Sequence, residues 1–208
     1  LDDSNTCVIN QDGWVQPRET KGIDLYFWGY GHDYTQALKD FFYLCGPQPL
    51  IPRYALGNWW SRFHPYTDKE YEQLMMRYES ENIPFSVAVL DMDWHLVKEV
   101  DPQYGRGWTG YTWNRSLFPN PPAFLSFLHE HNLKVTLNVH PADGVRAFEE
   151  PYLQMVQEMG INIETGEPVP FDIADPHFAK AYFNILHHPL EKQGVDFWWI
   201  DWQQGKSS

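Results

Sequence analysis

The sequence predicts an α/β protein: the first half, about four βα units, of a (β/α)8 TIM barrel, preceded by short strands that close something upstream. Three observations predict this. From residue 54 onward, short apolar runs alternate with amphipathic helical segments, the pattern of a parallel sheet covered by helices. The later runs are apolar throughout, as strands buried on both faces are. Each run ends in polar or acidic sequence, and in barrels of this kind the chemistry gathers at the carboxyl ends of the strands. A complete barrel takes about 250 residues, so residues 53–208 of the 208-residue chain have room for half of one.

Taken in order, residues 1–29 hold only short β-prone pieces, Cys7-Val8-Ile9 and Ile23-Asp24-Leu25-Tyr26-Phe27-Trp28. They are too short for a domain and read as the close of something upstream. Residues 30–52 form a helix and a stiff linker. Asp33 caps the helix, Gln36 stands three positions later, and Gly46 ends it. Leu38, Phe41, Phe42 and Cys45 share a face, and Pro47, Pro49 and Pro52 stiffen the linker. An extended run over 54–60 then ends in Trp59-Trp60. Thr67-Asp68-Lys69-Glu70 is a capping box, opening a helix with Tyr71, Leu74, Met75 and Tyr78 on one face. Asn82-Ile83-Pro84 stops it. A second strand, 85–90, ends in Asp91-Met92-Asp93-Trp94-His95, and an irregular loop with many aromatics covers 101–118. Asn120-Pro121 caps a helix lined by Phe124, Leu125, Phe127 and Leu128. A third strand, 134–139, ends in His140-Pro141. Next come helices with Tyr152, Met155, Val156 and Met159, and then with Phe178, Ala181, Tyr182, Ile185 and Leu186; His188-Pro189 kinks or ends the second. The fourth strand, 195–200, ends at Asp201.

Hydrophobic residues make up 43% and charged residues 21%, a globular composition. The net charge of −13 repels phosphate backbones, so nucleic acid is not an expected partner. No apolar run approaches the roughly 20 residues that cross a bilayer. The chain opens Leu-Asp-Asp-Ser, with neither a secretory leader nor an initiator Met, which fits a piece of something longer and leaves the compartment open. Cys7 and Cys45 make no disulfide framework and have no metal-ligand spacing. Aromatic residues reach 17%. Aromatic faces beside carboxylates at strand ends suit a sugar, whose ring offers apolar C–H faces and a hydroxyl edge.

Those strand ends supply the candidate residues. Asp201, a lone carboxylate after an apolar strand, is placed for chemistry or for capping a loop. Asp91-x-Asp93-x-His95 has three readings: a metal site, if extended backbone turns alternate side chains the same way; loop-capping acids; or, at Asp91, an acceptor for ligand hydroxyls. His140 is structural or functional. Trp59, Trp94, Trp199 and Trp202 are core or platforms for a sugar ring, with Trp59 and Trp94 favoured. Asn114-Arg115-Ser116 is a glycosylation sequon if the protein is secreted. Asp172 and Asp175 read as turn and cap residues.

The span from Tyr30 to Asp201 resembles glycoside hydrolase family 31, the retaining α-glucosidase and α-xylosidase family. The matching pieces are Asp33-Tyr34, Pro52-Arg53-Tyr54-Ala55-Leu56-Gly57, Asn82-Ile83-Pro84 leading to Asp91-Met92-Asp93-Trp94, Phe171-Asp172-Ile173-Ala174-Asp175-Pro176, and Trp199-Ile200-Asp201. The resemblance implies an exo-acting retaining α-glycosidase in which Asp201 is the nucleophile and Asp91 binds hydroxyls of the sugar being cleaved; the strand-end residues His140, Trp59, Trp94 and Trp199 are the further candidates for the sugar site. The resemblance also implies a carbohydrate substrate and makes residues 1–29 the terminal strands of the family's upstream β-sandwich domain; neither cofactor nor metal is expected. Where better-known members carry an Asn-Glu pair, this chain has Trp202-Gln203-Gln204, as in a divergent branch with another sugar preference. The family's acid/base carboxyl belongs to a later strand, so these 208 residues alone are expected to be inactive. The rival readings are a non-catalytic carbohydrate-binding relative and a metal-dependent barrel hydrolase using Asp91, Asp93 and His95.

Overall fold

Four parallel strands, side by side in chain order, organise the larger part of the protein. The computed structural model describes residues 7–12, 15–17, 27–105 and 107–201. Contacts divide it into two units, one up to Arg53 and one from Tyr54 onward.

In the first unit, β1 (Cys7–Ile9) and β2 (Val15–Pro17) form an antiparallel pair. Of the second β-prone piece expected here, residues 23–26 lie outside the described residues, and Phe27 and Trp28 are not in a strand. Helix α1 (Tyr34–Cys45) starts as expected: the Asp33 carboxylate accepts the Gln36 N–H at 3.1 Å, and Gly46 closes the helix at φ 81°. Its apolar face is not buried, for Leu38, Phe41, Phe42 and Cys45 are all exposed.

In the second unit the extended run expected over 54–60 is mostly not a strand. Residues Arg53–Leu56 form a 3-10 turn, and only β3 (Trp59–Trp60) pairs with its neighbour. Helix α2 (Asp68–Ser80) carries the complete capping box: the Thr67 hydroxyl accepts the Glu70 N–H at 3.2 Å, and the Glu70 carboxylate accepts the Thr67 N–H at 2.8 Å. Strand β4 (Val87–Leu90) precedes α3 (Pro121–Glu130), whose cap is the Asn120 side chain. Asn82 and Asn132, just past α2 and α3, adopt φ of 56° and 60°. Asn tolerates the left-handed region better than other side chains, which suits it to ending a helix.

Strand β5 (Lys134–Val139) has the expected bounds, and β6 (Phe197–Ile200) begins two residues later than expected. The sheet order is therefore β3-β4-β5-β6. Two helical stretches join β5 to β6: α4 (Tyr152–Glu158), and a continuous one comprising α5 (Pro176–Ala181), a π-helical segment (Tyr182–His187) and α6 (His188–Glu191). Pro189 therefore neither ends this helix nor simply kinks it. Proline lacks the N–H for a normal bond to the preceding turn and crowds its carbonyl; the π-helical widening immediately before it relieves both.

Alternation along the strands sorts their side chains. Ala88, Leu90, Val135, Leu137 and Val139 join one core with Tyr71 and Met75 of α2 and Phe124, Leu125 and Leu128 of α3. The opposite face carries Trp59, Val87, Val89, Thr136, Asn138, Phe197 and Trp199, in register across the sheet. A second core gathers Val145, Val169, Tyr152, Met155, Phe178 and Tyr182 beneath the β5–β6 connection. At the amino end of β6, Asp196 binds the Lys134 ammonium at 2.6 Å, the Val135 N–H at 2.8 Å and His129 Nε2 at 2.7 Å. These contacts, led by Lys134, outweigh the effect of burial and hold the Asp196 carboxyl below its usual range.

Candidate active site

The site forms at the carboxyl ends of β4, β5 and β6, on the face that carries Asn138 and Trp199. Asp201 comes directly after Ile200, and its N–H donates to the Val139 carbonyl at 3.0 Å, which prolongs the β5–β6 ladder by one bond. Its Oδ2 accepts from Asn138 Nδ2 at 2.9 Å and lies 3.6 Å from His140 Nε2. Asn138, His140 and Asp201 thus meet because alternate residues of neighbouring strands point the same way. Burial pushes the His140 imidazole below its ordinary pKa, against the opposing pull of Asp201 and Asp91.

The loop over 101–118 closes around His140. The Thr109 hydroxyl donates to the His140 carbonyl, and the Trp108 ring stands edge-on to the imidazole at 5.3 Å. Buried polar contacts fasten this loop: Arg146 donates to the Thr109 and Tyr104 carbonyls, while Glu149 accepts from the Tyr111 N–H at 3.1 Å and the Thr112 hydroxyl at 2.5 Å.

Of the indoles expected to meet a sugar, Trp59 and Trp199 keep accessible surface. Trp199 is 37% exposed, and the two rings pack at 6.0 Å, with Phe197 at 5.3 Å from Trp59. Trp94 is corrected to core: it is fully buried, its N–H donates to the Asn138 carbonyl at 2.7 Å, and its ring packs on Trp113 at 5.1 Å. His140 is likewise no surface for a ligand, being 2% exposed. Trp202 lies outside the described residues.

Asp91 caps a 3-10 turn, Met92–Trp94, by accepting the Met92 N–H at 2.7 Å. This turn removes the premise of the Asp-x-Asp-x-His metal reading, which needs extended backbone. His95 is buried against the Leu96 carbonyl at 2.9 Å, with its pKa lowered to about 4 by that burial. Asp93, mostly buried, borders with Asp91, Arg62, His64 and Tyr66 a cleft between the ends of β3 and β4, and burial raises its carboxyl. Among the described residues no three His, Cys, Asp or Glu side chains are grouped to hold a metal. Asp175 and Asp172 are the cap and turn residues expected, accepting the His177 and Ala174 N–H groups at 2.9 and 3.2 Å. The sequon residue Asn114 is 3% exposed and donates to Glu99, so the folded chain offers no acceptor there.

Sequence reasoning missed Asn138, Trp108 and Thr109. Asn138 had a signal: it is a polar residue in an otherwise apolar strand, two positions before His140. Trp108 and Thr109 had none, because an irregular loop has no periodicity from which to read what it touches.

A parallel sheet of four strands covered by helices, with carboxylates and indoles at its carboxyl ends, fits part of an α/β barrel, with the candidate site at the end where barrel enzymes carry theirs. The family model for the Glycosyl hydrolases family 31 TIM-barrel domain matches residues 48–207, and the chain belongs to this family. The family is one of glycoside hydrolases. An alpha-xylosidase of Saccharolobus solfataricus is 24% identical over 186 residues, covering 87% of this chain and 23% of its own length. Alpha-glucosidase 2 of Bacillus thermoamyloliquefaciens is 26% identical over 205 residues, covering 91% and 24%. The chain therefore spans about a quarter of the length of these relatives. The solved xylosidase from Aspergillus niger shares the fold, with a TM-score of 0.63 at 19% identity over 81% of this chain and 24% of its own. So does the family 31 dextranase of Flavobacterium johnsoniae complexed with glucose, with a TM-score of 0.62 at 19% identity over 82% and 21%.

Proposed function

We propose that the protein is a retaining, exo-acting α-glycosidase that hydrolyses the O-glycosidic bonds of α-linked sugars, with Asp201 as nucleophile. The observation that carries this is the position of Asp201: it is the first residue past β6, on the indole-bearing face, with its Oδ2 held by a neighbouring strand. In the first step a carboxylate oxygen of Asp201 attacks the anomeric carbon. The C–O bond to the leaving group breaks, and that oxygen takes a proton from a second carboxyl acting as acid. In the second step water, deprotonated by the same carboxyl, displaces Asp201 and regenerates the carboxylate. Retaining enzymes hold the two carboxyls about 5–5.5 Å apart. The resemblance assigns the second one to a strand later than β6, so this reading needs a carboxyl from outside the 208 residues, and the segment alone is proposed to be inactive.

Asp91 would bind ring hydroxyls, and Trp59 and Trp199 would face the apolar side of the sugar. Relatives named for α-xylose and α-glucose, and a neighbour complexed with glucose, support the substrate class. On this reading residues 1–29 close an upstream β-sandwich, residues 30–52 link it to the barrel, and residues 53–208 begin the barrel itself.

The test compares the full-length protein with its Asp201→Asn variant on aryl α-glucosides and α-xylosides. Loss of the nucleophile should cost about three orders of magnitude or more in kcat. A 5-fluoro-glycosyl fluoride should label the peptide containing Asp201. A variant that keeps its activity would remove Asp201 from the mechanism, and binding of a sugar without turnover in the parent would favour the carbohydrate-binding reading.

A further inference from the structure

We propose that Asn138 and His140 are positioning residues for Asp201, and that His140 does not bind sugar. This rests on the reading of Asp201 as nucleophile. Both residues come from β5 or the position just past it, both point to the face that carries Asp201, and both bring a nitrogen to the same atom. Asn138 Nδ2 is 2.9 Å and His140 Nε2 3.6 Å from Asp201 Oδ2. The Asn138 amide holds this oxygen by a hydrogen bond, the His140 ring bounds it from a second side just beyond hydrogen-bond distance, and the orientation of a nucleophile's attacking oxygen decides whether a bound substrate is in reach.

The supports of this pair are themselves buried. The Asn138 carbonyl is tied to the Trp94 indole at 2.7 Å, and the His140 carbonyl to the Thr109 hydroxyl. The imidazole meets Trp108 edge-on, and its Nδ1 has no hydrogen-bond partner among the described residues. A side chain 2% exposed has almost no area to give a substrate. What it has is one nitrogen directed at Asp201. At 3.6 Å that nitrogen restricts the carboxylate by close approach and ring polarity rather than by a hydrogen bond, and a glutamine at position 140 places a polar amide at a similar reach.

The test uses the full-length protein and four variants, Asn138→Ala, His140→Ala, His140→Gln and the double Asn138→Ala/His140→Ala. Kinetics are read on an aryl α-glycoside and folding by Tm. His140→Ala should lower kcat about 100-fold, the order that a misplaced reacting group costs, with KM unchanged. It should slow labelling of Asp201 by a 5-fluoro-glycosyl fluoride in the same proportion. His140→Gln should recover most of the loss, and the double variant should lose less than the product of the two single losses, because both act on one oxygen. A raised KM at unchanged kcat in His140→Ala would make His140 a sugar ligand and overturn the proposal. So would a His140→Gln that folds with the parent's Tm yet is as slow as His140→Ala. Failure of the underlying reading is distinct: it appears as an active Asp201→Asn or as a label on another residue, whatever the position 138 and 140 variants do.

Discussion

The Trp94 indole donates its N–H to the Asn138 carbonyl at 2.7 Å, which ties the turn after β4 to the residue whose side-chain amide reaches Asp201. The bond lies wholly inside the protein, since Trp94 is 0% and Asn138 4% exposed. Replacing Trp94 by Phe keeps a ring in place and removes the donor. Loss of a buried hydrogen-bond partner costs about 1–3 kcal/mol. Chemical denaturation of Trp94→Phe should show a fall of that size with an unchanged dependence on denaturant. A variant as stable as the parent would mean that the bond is matched by another after mutation.

His187 predicts an acid sensitivity that has nothing to do with the active site. It is 2% exposed, packed at 3.9 Å against Trp198 and 4.4 Å against Tyr182, and neither ring nitrogen has a hydrogen-bond partner among the described residues. Burial, with a smaller push from His188, lowers its pKa to about 3. The unfolded chain would protonate this ring near its ordinary value of about 6.5. Between those two values the unfolded state binds the extra proton, so stability is complete above about pH 6.5 and falls as the pH drops toward the folded value. One such group contributes a slope of up to about 1.4 kcal/mol per pH unit. His95, lowered to about 4 by burial, adds in the same direction. His187→Leu should flatten the decline of unfolding free energy between pH 6 and 4 by one proton's worth. An unchanged slope would show that the ring is solvated or partnered in solution.

Gly144 predicts a backbone effect. Its φ of 66° and ψ of −158° belong to a region that essentially only glycine occupies. A Cβ built there would clash with the Val169 carbonyl oxygen, 2.0 Å away. This close approach sits beside the bridge in which Val145 and Val169 exchange N–H···O bonds of 2.9 and 2.8 Å. Gly144→Ala should lower stability by roughly 1–3 kcal/mol from backbone strain alone, with more from the clash. A Tm equal to the parent's would show that the loop after β5 relaxes without cost.

Much of the fold was legible because it arises from local rules. The capping box at Thr67 and Glu70, the asparagine caps and stops, and the bounds of β5 each depend on a few neighbouring residues and one periodicity. Where more distant constraints enter, local pattern misleads. Residues 54–60 look extended because they are apolar, but Arg53–Leu56 winds into a 3-10 turn, and the Trp59 indole N–H donates back to the Ala55 carbonyl at 3.2 Å. Asp91-x-Asp93-x-His95 looks like one ligand set only while the backbone is straight, and it turns at Met92.

The sequence by itself determined the alternation of strands and helices, the apolar face of each barrel helix, and the polar residue at each strand end, because these depend on hydrogen-bond caps and on periods of two and 3.6 residues. Only the tertiary structure decided which of those strand-end residues meet. Strand register places Asn138 opposite Trp199 and so brings its amide to Asp201. The same packing draws Trp94 and His140 into the interior, though as strand-end residues they look no different in sequence from Trp59 and Trp199, which keep accessible surface. Side-chain partners across a parallel sheet are set by pairing between segments far apart in the chain, 63 residues in the case of Asn138 and Asp201, and no local pattern encodes that distance.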